Sequence, residues 1–465
     1  MRSYPELARR YAAFRDSVFG GVREDPPLPG LEALPDEMEL QSRWFAGEFG
    51  DRFTTTDGRP VQLRSFGHWN HAAGPDFTET SIELDGEVLT GSIELDTDVR
   101  DWEHHRHSTN TDYENVVLHL HFAGPAREAV FTRTPTHREI PQVRLELSML
   151  EGGAPPPRDL AEARLGHCST PLAEMEPERV NLLLEAAAQH RLEAKHERLA
   201  RTIRHHGRDQ ALFEAVAQAF GYRHNQLPMR VLAQRLPLHE LKKDPATREP
   251  LLLGLAGFLE ADGFETAPSD TRSYLRELWE SWWKTRDLHA GKTLPQWRLA
   301  GLRPGNHPQR RIGALAVLVA EWKRFAALLE HGATFEDREF VGFLTGLEHD
   351  YWSHHYTLAS APAAKPIRLV GETRAIELLA NLVYPLLVPD HSSLWANYLQ
   401  LRAKLDNQKV RRAAIRLFGQ RPDAAQFQKF VHQQQALLQI FDDFCLADDS
   451  GCEDCPFPER LAQWQ

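Results

Sequence analysis

The sequence predicts an α+β protein, with an amino-terminal mixed β-sheet and flanking helices over residues 1–152 and a larger all-α domain over 160–465. Three observations carry this. From Phe53 to Met149 short runs alternate apolar and polar residues and are broken by Asp-Gly turns, the period-two pattern of strands. From Glu178 onward apolar residues recur every three or four positions, as one face of a helix requires. Between the two lies Gly152–Asp159, a Gly/Pro-rich segment that reads as a domain boundary.

Taken in order, Met1–Gly20 places Tyr4, Leu7, Tyr11, Phe14 and Val18 on one helical face, and Glu24–Leu34 is Pro-rich and irregular. Pro35–Phe49 is a second helix, with Asp36 as its N-cap. Phe53–Phe66 is a hairpin around Asp57-Gly58, and Asp85-Gly86 turns Ser81–Leu84 back into Val88–Leu95. Val116–Phe122 is a further strand, with Val117, His119 and His121 on one face and Val116, Leu118, Leu120 and Phe122 on the other. Arg127–Pro135 and Gln142–Met149 follow as strands. The helical half then runs through Arg179–Arg204, Gln210–Phe220, Pro228–Leu236, Glu249–Leu259, Ser269–Trp283, Ile312–His331, Leu369–Val388, Ser393–Leu405, Val410–Leu417 and Ala424–Phe444. The tryptophans of Ser269–Trp283 are spaced as core residues rather than as a platform for bases.

Composition excludes several classes. Hydrophobic residues at 42% and charged residues at 26% are those of a soluble globular protein. No apolar run approaches the roughly 20 residues of a membrane span, and Met1–Arg15 has no apolar segment of a secretory signal, so the expected compartment is the cytoplasm. A net charge of −12 argues against a protein that coats nucleic acid but leaves room for a local basic cleft. Four cysteines in 465 residues do not make a disulfide scaffold.

The polar residues between Asn70 and Phe122 are unusual for strands. Glu94 and Asp96 lie two apart and share a face, and Asp76 follows Gly74-Pro75 just before the first strand of the Asp85-Gly86 hairpin. Strand interiors disfavour carboxylates, and two on one face repel unless a cation lies between them. Oxygen ligands on one strand face with a third from a neighbouring segment suit Mg²⁺ or Mn²⁺. His104, His105 and His107 crowd the segment that follows, and His105 or His107 would serve as base or further ligand. Trp102 and Tyr113 would wall the pocket, and Asp101 would orient a histidine. The same acids also fit a solvated strand face.

The order P-D, hairpin, E-x-D resembles the core of the PD-(D/E)xK nuclease superfamily. The resemblance implies a restriction-endonuclease-like sheet, with Asp76 and Glu94 as metal ligands and Glu39 or Glu37 as a carboxylate from the preceding helix. The position that carries the superfamily's lysine is Asp96 here. A second resemblance covers nearly the whole chain: E-x-x-L-Q-x-x-W at Glu37–Trp44, N-x-x-A-G-P-D-F at Asn70–Phe77, G-S-I-E-L at Gly91–Leu95, D-W-x-x-H-x-H at Asp101–His107, G-Y-R-H-N at Gly221–Asn225 and L-R-P-G-N-x-P-x-R-R-I at Leu302–Ile312. These are similar to DUF2851, a bacterial family of uncharacterised proteins.

Cys445-x6-Cys452-x2-Cys455 is a second constellation, with Cys168 as the remaining cysteine. A C-x-x-C pair with a third thiolate nearby fits a structural Zn²⁺ site, and the set also resembles the iron–sulfur staple of some nucleases, which implies a [4Fe-4S] cluster. A third is basic: Arg303, Arg310 and Arg311 around Pro304-Gly305-Asn306 suit either phosphate contacts or pairing with carboxylates inside an acidic protein. The reading is thus a divalent-metal-dependent nuclease or nuclease-derived DNA-processing protein, with DNA as partner and no membrane. Its rivals are a non-catalytic nucleic-acid-binding module on the same fold and a metal-dependent phosphoesterase with a smaller substrate.

Overall fold

The computed structural model describes residues 4–18, 34–70, 73–124, 130–150, 166–222, 224–259, 271–289, 296–404, 408–419, 421–445, 452, 455–461 and 463–464. It has a mixed sheet towards the amino terminus and helices after it. The segment expected as a boundary, Gly152–Asp159, lies outside the described residues.

The sheet has the order β1 (Arg52–Thr54), β2 (Pro60–Ser65), β4 (Phe77–Leu84), β5 (Glu87–Asp98), β6 (Val116–Ala123), β9 (Gln142–Arg144), and the short β3 (His68–Trp69) pairs with β4. The Asp57-Gly58 and Asp85-Gly86 hairpins form as expected. Asp85 and Gly86 both take positive φ, the turn whose twist matches two antiparallel strands. β5 and β6 run parallel, joined by the short helix α3 (Asp101–His104) and two single 3-10 turns. That crossover makes the sheet mixed, and it carries the histidines over one face of β5.

Three strand expectations are corrected. A bulge between Ser92 and Ile93 sets two β6 residues against one of β5. Val116 therefore packs with Trp102 and Tyr113, while Val117, Leu118, Leu120 and Phe122 enter the main sheet core. Of Arg127–Pro135, only Thr132–Arg133 (β7) is a strand among the described residues, and it pairs with β8 (Glu139–Ile140). Gln142–Met149 is a strand only to Arg144 and ends in a 3-10 turn at Leu147–Met149. Val143, Leu145 and Leu147 are nonetheless buried, as their alternation requires.

Helix α2 (Glu37–Phe45) begins at Asp36, whose Oδ1 accepts the Met38 amide at 2.9 Å. Leu40, Trp44 and Phe45 cover the sheet against Phe53, Phe66 and Phe77. Helix α1 (Glu6–Val18) lies instead on the 30-residue helix α5 (Pro177–His206): Leu7 and Tyr11 join the helical core, and Ala8 N–H donates to Gln189. The expected helices recur with breaks. Ile312–His331 divides at Glu321 into Pro308–Ala320 and Trp322–Leu329, and Leu369–Val388 contains a π-helical turn at Leu379–Val383. Trp282 packs on Gly254, but Trp283 is 47% exposed, beyond the core that the spacing implied. Among the described residues, no helix is long and apolar enough to cross a membrane.

Candidate functional site

The site begins at a tight turn. Asn70 holds the Ala73–Asp76 segment, donating from Nδ2 to Pro75 O at 2.9 Å and from its amide to Asp76 O at 2.6 Å. Asp76 is thereby set at the entry to β4, opposite Glu94 and Leu95 of β5. The exchange is reciprocal: Asp76 N–H donates to Glu94 Oε2 at 2.9 Å, and Leu95 N–H donates to Asp76 Oδ2 at 3.0 Å. Antiparallel pairing thus places two carboxylates together at the β4–β5 ladder's open end.

Helix α2 supplies the next layer. Gln41 Nε2 donates to Asp76 Oδ1 at 2.8 Å and to Glu37 Oε1 at 3.1 Å, because residues four apart share a helix face. Glu39, named from sequence as a helix carboxylate, is corrected: two residues from Glu37, it turns away and pairs with Arg43 at Nε, 2.9 Å. Glu37 takes the site position.

Asp96 is 2% exposed, on the same face as Glu94. Its Oδ2 lies 3.1 Å from His119 Nε2 and its Oδ1 3.5 Å from His105 Nδ1. Ligand atoms of Asp96, His105 and His107 all fall within 4.8 Å of one another. His107 is buried, stacked on Tyr113 with ring centroids 3.9 Å apart, and edged by Trp102. Its Nε2 is 3.2 Å from Glu94 Oε1 but lacks the alignment of a hydrogen bond, so that buried nitrogen has no hydrogen-bond partner. His119 Nδ1 and His121 Nε2 are also buried without one, although His121 Nδ1 lies 3.1 Å from Ala123 O.

The electrostatics follow from burial. Desolvation, then repulsion from Glu94, raises the Asp76 carboxyl well above the usual range. Glu94 is raised by burial and then by Asp96, and Glu37 by burial and then by Asp96. Burial lowers the proton affinity of His107, against Asp96 and Glu37, and takes His121 down to about 4. The Tyr113 hydroxyl is pushed up, first by burial and then by Glu94 and Asp76. Among the described residues, no lysine or arginine pairs with Asp76, Glu94 or Asp96; the ion-pair partners of the last two are histidines. Such a group is electrostatically incomplete and suits either retained protons or a bound cation.

The structure therefore brings Asp76, Glu94, Asp96, His105, His107 and Tyr113 together. Asp101 is turned elsewhere, accepting from Thr97 Oγ1 and Asp98 N and facing the exposed His104. One residue escaped sequence reasoning: Gln41 bridges Glu37 and Asp76, signalled only by its i,i+4 spacing. His119, which the sequence leaves either facing the site with His121 or hydrogen-bonded in the sheet, lies against Asp96, a pairing that needs the β5–β6 register Glu94↔His119 and Asp96↔His121. A cavity of about 390 Å³, lined in part by Pro35, Thr97, Arg100, Asp101 and His104, has none of the cluster residues in its lining. Its one arginine is paired with Asp98 at 2.7 Å.

The basic constellation is corrected. Arg310 is fully buried and donates to the carbonyls of His355, Ile367 and Arg368; Arg311 is 3% exposed and donates to Leu369 O at 2.7 Å and to Gly305 O. These guanidiniums close backbone acceptors inside the helical half, out of reach of a phosphate strand, while Arg303 is exposed. Three of the four free cysteines, Cys168, Cys445 and Cys452, by contrast interact with Arg416, and Cys455 lies near Cys445.

No curated protein and no solved structure matches the chain. A family model described as "Protein of unknown function (DUF2851)" matches residues 37–393, from the first site helix well into the helical half, and the chain therefore belongs to that family.

Proposed function

We propose that this chain is a divalent-metal-dependent phosphodiester hydrolase of the nuclease type, or a DNA-processing protein derived from one, with its centre at Asp76, Glu94 and Asp96. One observation carries the reading: three buried or half-buried carboxylates converge with Glu37, no lysine or arginine balances them among the described residues, and the hydrogen-bond-orphaned His107 Nε2 is aimed at Glu94. The donor set fits a hard or borderline cation, since carboxylate oxygens suit Mg²⁺ and Mn²⁺ and imidazole shifts the preference towards Mn²⁺ or Zn²⁺. Asp96, His105 and His107, whose ligand atoms lie within 4.8 Å of one another, would hold the ion beside Glu94 and Asp76, and it would polarise a phosphodiester and lower the pKa of a nearby water.

The chain's own residues have definable tasks. Burial disfavours a proton on His107, which leaves its ring nitrogens to the ion, and the stacked Tyr113 ring fixes its plane. Gln41 holds Asp76, and His119 holds Asp96, so both carboxylates are pre-set. Asp96 stands where the nuclease superfamily carries lysine, so no ammonium is available there to activate water. The order α2, antiparallel strands, α3 and a parallel β6 is consistent with a restriction-endonuclease-like core.

The test is cleavage of single- and double-stranded DNA in Mg²⁺ or Mn²⁺ by the wild type, Asp76→Asn, Glu94→Gln and Asp96→Asn. The reading requires wild-type cleavage that EDTA abolishes and that falls at least about a hundredfold in each variant. Equal cleavage in all four proteins sinks it. The internal position of Arg310 and Arg311 favours a second reading, hydrolysis of a smaller phosphoester, which needs no basic track. A chromogenic phosphodiester cleaved with Mn²⁺ while DNA stays intact would select it.

A further inference from the structure

We propose a second, separate metal centre in which Cys168, Cys445, Cys452 and Cys455 together hold a thiophilic metal, either a zinc ion or an iron–sulfur cluster. Three segments distant in sequence meet there. Gly166 N–H donates to Arg416 O at 3.0 Å and Cys168 Sγ lies 3.7 Å from the same oxygen, which docks the first segment on the end of helix Gln408–Phe418. Cys445 ends the π-helical turn Phe441–Cys445, and Cys455 lies two residues before the helix Phe457–Leu461. Phe444 stacks on Phe457, with centroids 4.1 Å apart and planes 13° from parallel, so the two cysteine segments are pinned side by side.

Three of the sulfurs also share one counter-charge. Arg416 Nη2 donates to Cys452 Sγ at 2.9 Å, and the same guanidinium interacts with Cys445 and Cys168. Cys445 lies within electrostatic reach of Cys168, Cys452 and Cys455. A single buried cysteine is an ordinary small apolar residue. Four thiols kept out of disulfides, three of them around one arginine, carry the sulfur chemistry that a thiophilic metal takes. Cys452 further takes φ 92, a conformation that L-residues rarely adopt and that surrounding structure must impose. The thiol protons leave as the metal binds, and Arg416 offsets part of the charge left on sulfur. The role is to clasp the carboxy-terminal segment to the start of the helical half.

The full chain, purified without oxygen, is assayed for zinc, iron and acid-labile sulfide, and its visible spectrum is recorded. The proposal expects about one zinc per chain and no colour, or about four iron with matching sulfide and a brown absorbance. Cys168→Ser and Cys452→Ser lose the metal, while Glu94→Gln keeps it, which separates this centre from the carboxylate site. Should the serine variants fail to fold, titration of wild type with a mercurial decides: metal release in step with thiol modification supports the centre. Wild-type protein carrying neither zinc nor iron at stoichiometric amounts overturns it, as does full metal retention in both serine variants.

Discussion

Glu94 sits between Asp76 and Asp96 on a face closed by Trp102 and Tyr113, so its charge must be met by a proton or a cation. The sign of the resulting pH dependence is fixed. Folded-state carboxyl pKa values raised above the unfolded ones mean that the folded chain binds more protons, so this contribution to stability is present in acid and is lost as pH rises towards the raised values. His121 and His107, lowered by burial, act oppositely and contribute stability above their unfolded pKa that is lost as pH falls. Glu94→Gln isolates the carboxylate term, because a Gln Oε1 can still accept the Asp76 amide. In EDTA, denaturant unfolding should show Glu94→Gln more stable than wild type by about 1–3 kcal/mol at about pH 8, with the gap closing at about pH 5. Added Mn²⁺ should reverse the order by stabilising wild type alone. A gap that widens in acid would contradict the assignment.

His119 illustrates a different residue-scale logic. It is fully buried, packed 5.2 Å from Trp102, and bonded to Asp96. His119→Ala leaves a buried carboxylate without its partner as well as a void, and should cost about 2–4 kcal/mol in thermal or urea unfolding. His105→Ala, half-exposed and at the rim, should cost under about 0.5 kcal/mol while weakening Mn²⁺ binding measured by calorimetry.

At the scale of elements, the site depends on irregularities in the strands. β4 bulges between Phe77 and Thr80, where Glu79 takes φ 55, and the loop before β3 passes so close that a Cβ on Gly67 would lie 1.9 Å from Thr78 O. Gly67 also has φ +63, so Gly67→Ala is strained twice, by dihedral and by contact. The variant should lose on the order of 3 kcal/mol or more and displace Asp76, read as lost Mn²⁺ affinity under conditions where it remains folded. The α2 layer was legible to one turn: acidic residues at the helix start were seen, but Glu37 and Glu39 could not be separated until Gln41 showed which face meets Asp76.

At the scale of the molecule, the sheet half is fastened to the helical half through polar contacts beneath α2. Ser42 Oγ donates to Gln234 Oε1 at 2.8 Å and accepts from Arg230 Nε at 3.0 Å, and Arg230 pairs with Glu48. Burial opposes the charge on Glu48, yet Arg230 and Arg43 hold its carboxyl below the usual range. Arg230→Ala leaves that carboxylate with Arg43 at 3.2 Å and the weaker field of Arg198, and opens Ser42. Unfolding should weaken by about 3 kcal/mol, and calorimetry should show the sheet half melting earlier; an unchanged single transition would mean that the seam carries no coupling.

What the sequence determined by itself was whatever depends on neighbours along the chain: the Asp36 cap, the Asp-Gly hairpins, the helical faces, and the placing of Glu94 and Asp96 on one side of a strand. Those follow from dihedral preference and period, which are local. Only the tertiary structure decided which partners the polar groups take. It turned Arg310 and Arg311 inward onto carbonyls, exchanged Glu39 for Glu37, brought His119 to Asp96 across a parallel pair of strands, and gathered Cys168 with the carboxy-terminal cysteines. Arginine serves an internal carbonyl and an external phosphate equally well, so burial, a property of the packed whole, has to make that choice.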